Sequence, residues 1–192
     1  MTVIRTTVFS LSLLLAVSAL AQEKLFTDPA LEQAVREALT ELGHEPGDNL
    51  TAADLNGVGF TNLTADDLAI ADLHGLEHAA DLTDLSLDRN AIDDLSPLAA
   101  LENLESLSVE VNEVFDLTPL AVLIKLKELD LFRNRIEDLS PIRNLTNLEF
   151  LSLDDNLVLD VAALSGLTSL KTLFLYDNGL QDVRPLSSLT NL

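Results

Sequence analysis

Residues 82–103 read LTDLSLDRNAIDDLSPLAALEN, and this stretch recurs along the chain with a period of 22 residues. Asparagine marks the period at Asn90, Asn112, Asn134, Asn156 and Asn178. Aspartate keeps the same period at Asp72, Asp94, Asp116, Asp138, Asp160 and Asp182. A fixed period of this length predicts a solenoid, in which each repeat is one structural unit stacked on the next.

Apolar residues form columns between these polar markers. Residues 82–103 contribute Leu82, Leu85, Leu87, Ile92, Leu95, Leu98 and Leu101. Leu-x-Leu alternates with the period of a β-strand, so we expect a short strand whose leucines point inward. One such strand cannot bury its apolar face alone, whereas stacked copies build a parallel sheet over a leucine core. Pairs such as Ser96-Pro97 predict an N-cap and the first residue of a short helical turn, by which the chain returns.

This pattern resembles the 22-residue leucine-rich repeat of bacterial internalins, whose units read L-x-x-L-x-L-x-x-N-x-I-x-D-L-x-P-L. The likeness covers residues 61–192, with local departures where Leu68 replaces asparagine and where His74-Gly75 and Ala162-Ala163 replace the pair that ends in proline. The resemblance implies an α/β solenoid with a curved parallel β-sheet on the concave face and short helical or 3-10 turns on the convex face. It also implies a helical N-terminal cap and a role in recognition at the bacterial surface.

The first 21 residues differ from the rest of the chain. They contain one charge, Arg5, followed by an apolar run and the small residues Ala19 and Ala21. This arrangement is typical of a secretory signal peptide, with cleavage before Gln22. The sequence therefore predicts an exported protein, located at the cell surface, in the periplasm or outside the cell.

The rest of the chain divides into a cap and an array. Residues 22–60 do not repeat, and Asp28-Pro29 predicts the start of a helix that belongs to an N-terminal cap. Residues 61–192 hold about six repeats. The chain stops at Asn191-Leu192, which read as the opening of another unit, so we expect the array to be truncated here.

Composition narrows the classes of function. The 192 residues carry 32 acidic and 11 basic side chains, for a net charge of −21, which argues against nucleic-acid binding. No cysteine is present, so a disulfide scaffold and a cysteine-based zinc site are impossible. Apolar residues make up 47% of the chain, which is enough to build a core and argues against intrinsic disorder.

Two patterns raise the question of metal binding. His74 to His78 spell H-x-x-E-H, a zinc-peptidase signature, but Leu76 is in register with the core leucines and a short turn cannot present the long helix required. The aspartate column could supply calcium ligands or cap the convex turns, and we favour capping because a calcium site gathers several oxygens within one segment. We predict no metal, no cofactor and no catalytic centre.

The solvent side of the sheet is the candidate binding surface, here named the concave face. Register assigns it 24 positions with ten acids and two arginines, a net charge of −8. The positions are Asn62, Thr64, Asp66, Asp67, Asp84, Ser86, Asp88, Arg89, Ser106, Ser108, Glu110, Val111, Glu128, Asp130, Phe132, Arg133, Phe150, Ser152, Asp154, Asp155, Thr172, Phe174, Tyr176 and Asp177.

Aromatic residues concentrate on this face. We call the four concave-face positions of one repeat a row. Residues 61–192 contain five aromatic residues, and four of them lie in the last three rows: Phe132, Phe150, Phe174 and Tyr176. We expect them to face water and to anchor a protein partner, because exposed aromatic clusters are typical of interfaces. The set predicted to supply charge comprises Asp88, Glu110, Asp130 and Asp154, and the residues predicted to extend the patch are Val111 and Arg133.

These features predict a non-catalytic binding module for a basic protein that presents an apolar spot. Two other functions remain open from the sequence. Aromatic platforms beside carboxylates also suit carbohydrate or the cell wall. The repeats could instead present an enzyme or an anchor encoded after Leu192.

Overall fold

The computed structural model describes residues 24–192, so the predicted signal peptide at 1–21 lies outside the described residues. The chain enters through two helices, α1 (Pro29–Glu41) and α2 (Ala52–Leu55). Asp28 caps α1 as predicted, because its Oδ1 accepts the backbone N–H groups of Ala30 and Leu31. None of the helices in residues 24–192 is both long and apolar enough to cross a bilayer.

Six short parallel strands follow in sequence order within one open sheet. They are β1 (Asn62–Thr64), β2 (Asp84–Ser86), β3 (Ser106–Ser108), β4 (Glu128–Asp130), β5 (Phe150–Ser152) and β6 (Thr172–Phe174). Register pairs residues 22 apart, as in Leu85 with Leu107. One 3-10 helix follows each strand: Leu76–His78, Ser96–Ala100, Thr118–Val122, Ser140–Asn144, Ala162–Gly166 and Arg184–Ser188. The predicted solenoid with its helical N-terminal segment is confirmed.

The leucine columns form the core. Every inward position of the repeat at 82–103 is buried, as are the equivalent positions from Phe60 to Leu170. Helix α1 extends this core at its first end by burying Leu31, Val35 and Leu39. In the last repeat the columns are less completely covered: Leu189 is buried and Val183 is exposed, and the half-buried members are Leu173, Leu175, Leu180 and Leu186.

The asparagine column joins each repeat to the one before it. Asn156 donates from Nδ2 to the carbonyl oxygen of Leu131 in the preceding repeat (2.9 Å) and to that of Leu153 in its own repeat (3.1 Å). Its Oδ1 accepts the backbone N–H of Ile136 (3.1 Å), again in the preceding repeat. Asn112, Asn134 and Asn178 make the same contacts, which confirms that the column satisfies turn backbone.

The aspartate column caps the convex turns. Each carboxylate accepts the backbone N–H two residues later, as Asp94 Oδ1 does from Ser96 at 2.8 Å. The other five aspartates repeat this contact. The prediction that the serine or threonine before proline is the cap is wrong, because the 3-10 helix already begins at that residue. An aspartate two residues ahead reaches the free N–H in an Asx turn.

The H-x-x-E-H stretch belongs to one of these turns. Leu76 is buried in the core, and the helix that holds it spans only three residues. His74 Nδ1 lies 2.6 Å from Asp72 Oδ1, and His78 Nε2 lies 3.8 Å from Glu77 Oε1. In the part of the chain that the structure describes, no group of three or more histidine or acidic residues is placed to hold a metal ion.

Candidate binding surface on the concave face

Strand alternation places the predicted residues on the solvent side of the sheet, but the expectation of exposure is wrong for Ser152, which is covered there and only 5% exposed. Each row stands beside the next at the spacing of neighbouring strands, roughly 4.8 Å. Register places Phe150 beside Glu128 and Thr172, and it places Phe174 beside Ser152. The face is therefore a continuous array in which residues 22 apart are neighbours.

The aromatic cluster consists of Phe132, Phe150, Phe174 and Tyr176. The rings of Phe150 and Phe174 meet edge to face, with centroids 5.9 Å apart and planes at 63°. Phe174 and Tyr176 are 46% and 81% exposed, whereas Phe132 and Phe150 are half-buried. The alternation of the strands predicts that all four face water. Two of them are instead half-buried, and within residues 24–192 the structure brings only Phe150 and Phe174 into ring contact.

Both arginines of the concave face are paired with acids one repeat away. Arg89 Nε lies 2.8 Å from Asp67 Oδ2, and Arg133 Nε lies 3.6 Å from Asp155 Oδ2. The structure thus places Arg133 in an ion pair at the side of the aromatic cluster. Pairing removes two acids from the ten, so eight carboxylates remain without a cation from this face.

Several of these carboxylates also hold neighbouring repeats together. Asp88 Oδ1 accepts the Ser108 hydroxyl (2.6 Å) and the backbone N–H of Glu110 (2.9 Å). Asp66 makes the equivalent contacts one repeat earlier, and Asp154 accepts the backbone N–H of Tyr176. The sequence carries a signal for this role that the prediction missed, since each serine follows its aspartate by 20 residues. A carboxylate has further acceptor sites, so the role is compatible with binding a cation.

Glu110 lies in the most crowded part of this acidic surface. Burial, followed by the negative charges of Asp130 and Asp88, raises its pKa from 4.5 to about 7. Beside it, a cavity of about 320 Å³ is lined by Ser106, Ser108, Glu128, Asp130 and Phe150. Carboxylates and the edge of the aromatic cluster therefore border one depression.

The pKa of Glu110 gives the protein a pH-dependent stability. The folded state holds this proton more tightly than the unfolded state, where the ordinary value of 4.5 applies. Its stabilising effect is thus complete below pH 4.5 and is lost as the pH rises to about 7. We expect Glu110→Gln to raise the urea midpoint relative to the parent protein near neutral pH and to remove this decline.

Asp116→Asn is the matched control, because the Thr118 side chain and backbone lower the pKa of Asp116 below 3.8. Its contribution is fully present above pH 3.8 and is lost as the pH falls through the lowered value. The Asp116→Asn difference should therefore stay constant between pH 4.5 and 7, where the Glu110→Gln difference changes. A Glu110→Gln difference that is flat over this window would contradict the assignment.

Comparison with known proteins identifies the class of protein. A family described as leucine-rich repeats (two copies) matches residues 124–166. The stacked strands, asparagine column and 3-10 turns are those of a leucine-rich repeat protein. No curated protein matches the chain in a sequence search.

Solved structures identify the family more closely. Internalin C2 of Listeria monocytogenes is 34% identical, with a TM-score of 0.64 over 88% of this chain and 82% of that one. Internalin F of the same organism is 30% identical, with a TM-score of 0.69 over 88% of this chain and 55% of that one. A leucine-rich repeat protein of Leptospira interrogans is 29% identical over 65% of this chain and 33% of that one, with a TM-score of 0.60. The chain belongs to the internalin family of leucine-rich repeat proteins.

Proposed function

We propose that the protein is a non-catalytic, exported binding module that recognises a protein partner through its concave face. The partner is basic and presents an apolar group to the aromatic cluster. Residues 1–21 direct its export as a signal peptide. The observation that carries this proposal is the edge-to-face contact between Phe150 and the exposed Phe174, on a face where Glu128 pairs in register with Phe150.

Charge and apolar contact have separate parts in this recognition. Eight carboxylates without a cation attract a basic surface, and they act mainly on the association rate and on salt sensitivity. The exposed rings of Phe174 and Tyr176 supply the apolar contact that aromatic anchors give to interfaces. Asp154 lies beside this contact, where it accepts the backbone N–H of Tyr176, and Asp88, Glu110 and Asp130 extend the acidic surface along the preceding rows.

A displayed peptide library provides a probe that the protein itself selects. We expect panning of random dodecapeptides on phage against the immobilised protein to enrich sequences with lysine or arginine beside an apolar side chain. A synthetic copy of the dominant peptide then serves for affinity measurements. Its binding should weaken as salt rises, because exposed charges are screened.

Combined replacement of Phe150, Phe174 and Tyr176 by alanine is expected to abolish binding of this peptide while the protein stays folded. The folded state is checked by circular dichroism and thermal unfolding, and affinity by calorimetry. Phe115→Ala is the matched control, since Phe115 is 60% exposed but lies outside the concave face. Unchanged affinity in the triple variant would rule out the aromatic cluster as the binding site.

Carbohydrate binding is the competing outcome of the same experiment. A glycan array probed with the parent protein and the triple variant separates the two classes of ligand. If no peptide is enriched, and the parent protein binds a glycan that the triple variant does not bind, the ligand of the concave face is a carbohydrate and not a protein.

A further inference from the structure

One column of the concave face has the same unusual backbone conformation in every repeat. Its members directly precede the asparagine column, or Leu68 in the first repeat, and their φ angles lie between 53° and 59°. They are Asp67, Arg89, Val111, Arg133, Asp155 and Asp177. The left-handed region tolerates aspartate and asparagine, whereas a β-branched residue there is a strained outlier. Val111 has φ of 53°, and it is the β-branched member of the column, for which this conformation is strained.

Folding does not require a valine at this position. The core of the same repeat is completed by Val109 and Val114, which are both buried, while Val111 is half-buried on the solvent side. Asn112 supplies the contacts to the preceding repeat. Five of the six repeats place a charged residue in the column, so an apolar side chain here has no structural counterpart in the array.

The surroundings of Val111 connect it to the aromatic cluster. Its backbone N–H donates to the carbonyl oxygen of Phe132 at 2.8 Å, which fixes the two residues as neighbours on adjacent rows. Its neighbours along the column, Arg89 and Arg133, each pair with an acid on the side away from it. Val111 is thus the apolar residue between two ion-paired arginines, and its backbone bond places it beside Phe132 on the row of the third strand.

We propose that Val111 is a partner-contact residue, retained at a cost in stability because its apolar side chain binds the partner beside Phe132. Backbone strain of this kind persists where function requires it. This inference rests on the proposed function and adds to it a third apolar contact in the middle of the face. The partner accordingly presents apolar side chains across the third and fourth strands as well as opposite Phe174 and Tyr176.

Two substitutions separate strain from contact. Val111→Asn relieves the strain and removes the methyl groups, so the thermal midpoint should rise by about 2–4 °C while affinity for the panned peptide falls about tenfold. Val111→Thr keeps the branched shape and its strain but replaces a methyl group by a hydroxyl, so affinity should fall without any rise in the midpoint. Asp177→Val is the reciprocal control, which should lower the midpoint because it places valine in the same conformation.

The remaining outcomes would contradict the proposed role of Val111. If both Val111 variants bind the peptide with full affinity, Val111 is not part of the interface. If the thermal midpoint of Val111→Asn does not rise, the backbone at Val111 is not strained. If the aromatic triple variant loses the peptide but the Val111 variants keep it, the inference fails and the proposed function stands. If no peptide is enriched, or the triple variant keeps it, the proposed function fails, and the inference with it.

Discussion

Gly75→Ala is expected to lower the free energy of unfolding by about 3–5 kcal/mol, because it combines backbone strain with overpacking. Gly75 has φ of 108°, a conformation that residues with a side chain rarely adopt. An added Cβ would lie 2.6 Å from Phe26 Cδ1 and 2.7 Å from the carbonyl oxygen of Leu25. Phe26 is fully buried, so it cannot move aside. The substitution should loosen the segment that leads into α1 from the first repeat.

Two other glycines separate the sources of this effect. Gly57 has φ of 72° with nothing within 4 Å of an added Cβ, whereas Gly47 has the same open space without the positive φ. Urea denaturation should rank the three alanine variants, with Gly47 nearly neutral, Gly57 intermediate and Gly75 most destabilised. Equal losses at Gly57 and Gly75 would show that Phe26 does not lie against Gly75.

Asn156→Asp is expected to cost about 3 kcal/mol or more, because a buried carboxylate would face backbone carbonyl groups without a donor. The amide Nδ2 of Asn156 donates to three carbonyl oxygens, and the side chain is only 6% exposed. Aspartate keeps the acceptor for Ile136 but loses every donor. Urea denaturation at neutral pH measures the loss, which should shrink in acid as the carboxylate gains a proton.

Asn147→Asp is the matched control for the same chemical change. Asn147 is exposed, and its amide donates to one carbonyl oxygen, that of Ile124, at 2.7 Å. Water can replace this contact, so we expect a loss of no more than about 1 kcal/mol. Comparable losses at Asn147 and Asn156 would contradict the assignment of the asparagine column as the buried connection between repeats.

The period of 22 residues is enough to predict the strands, their register and the core. Each column repeats a single environment. Residues such as Leu85, Leu107 and Leu129 are therefore predicted to have the same burial and the same direction. The asparagine role follows in the same way, because a buried turn needs a side chain that both donates and accepts. The identity of the cap does not follow, since Asp94 and Ser96 both suit a helix start and only the start of the turn decides between them.

The finer properties of the concave face depend on distances that a repeat pattern does not contain. The raised pKa of Glu110 requires two particular acids from neighbouring rows to lie beside a half-buried carboxyl group. The half-burial of Phe132 and Phe150 depends on which side chains stand in the adjacent rows. Likewise, the close approach of Phe26 to Gly75 joins a segment outside the array to its first turn.

The asparagine contacts run in one direction along the chain. Asn156 satisfies the backbone of the repeat before it, and the N–H of Val158 is in turn satisfied by Asn178 of the repeat after it. A repeat therefore has its full set of hydrogen bonds only once its successor has folded against it. Each repeat added on the C-terminal side thus completes the hydrogen bonds of the repeat before it, so loss of one asparagine leaves backbone groups unpaired in the preceding repeat as well as its own.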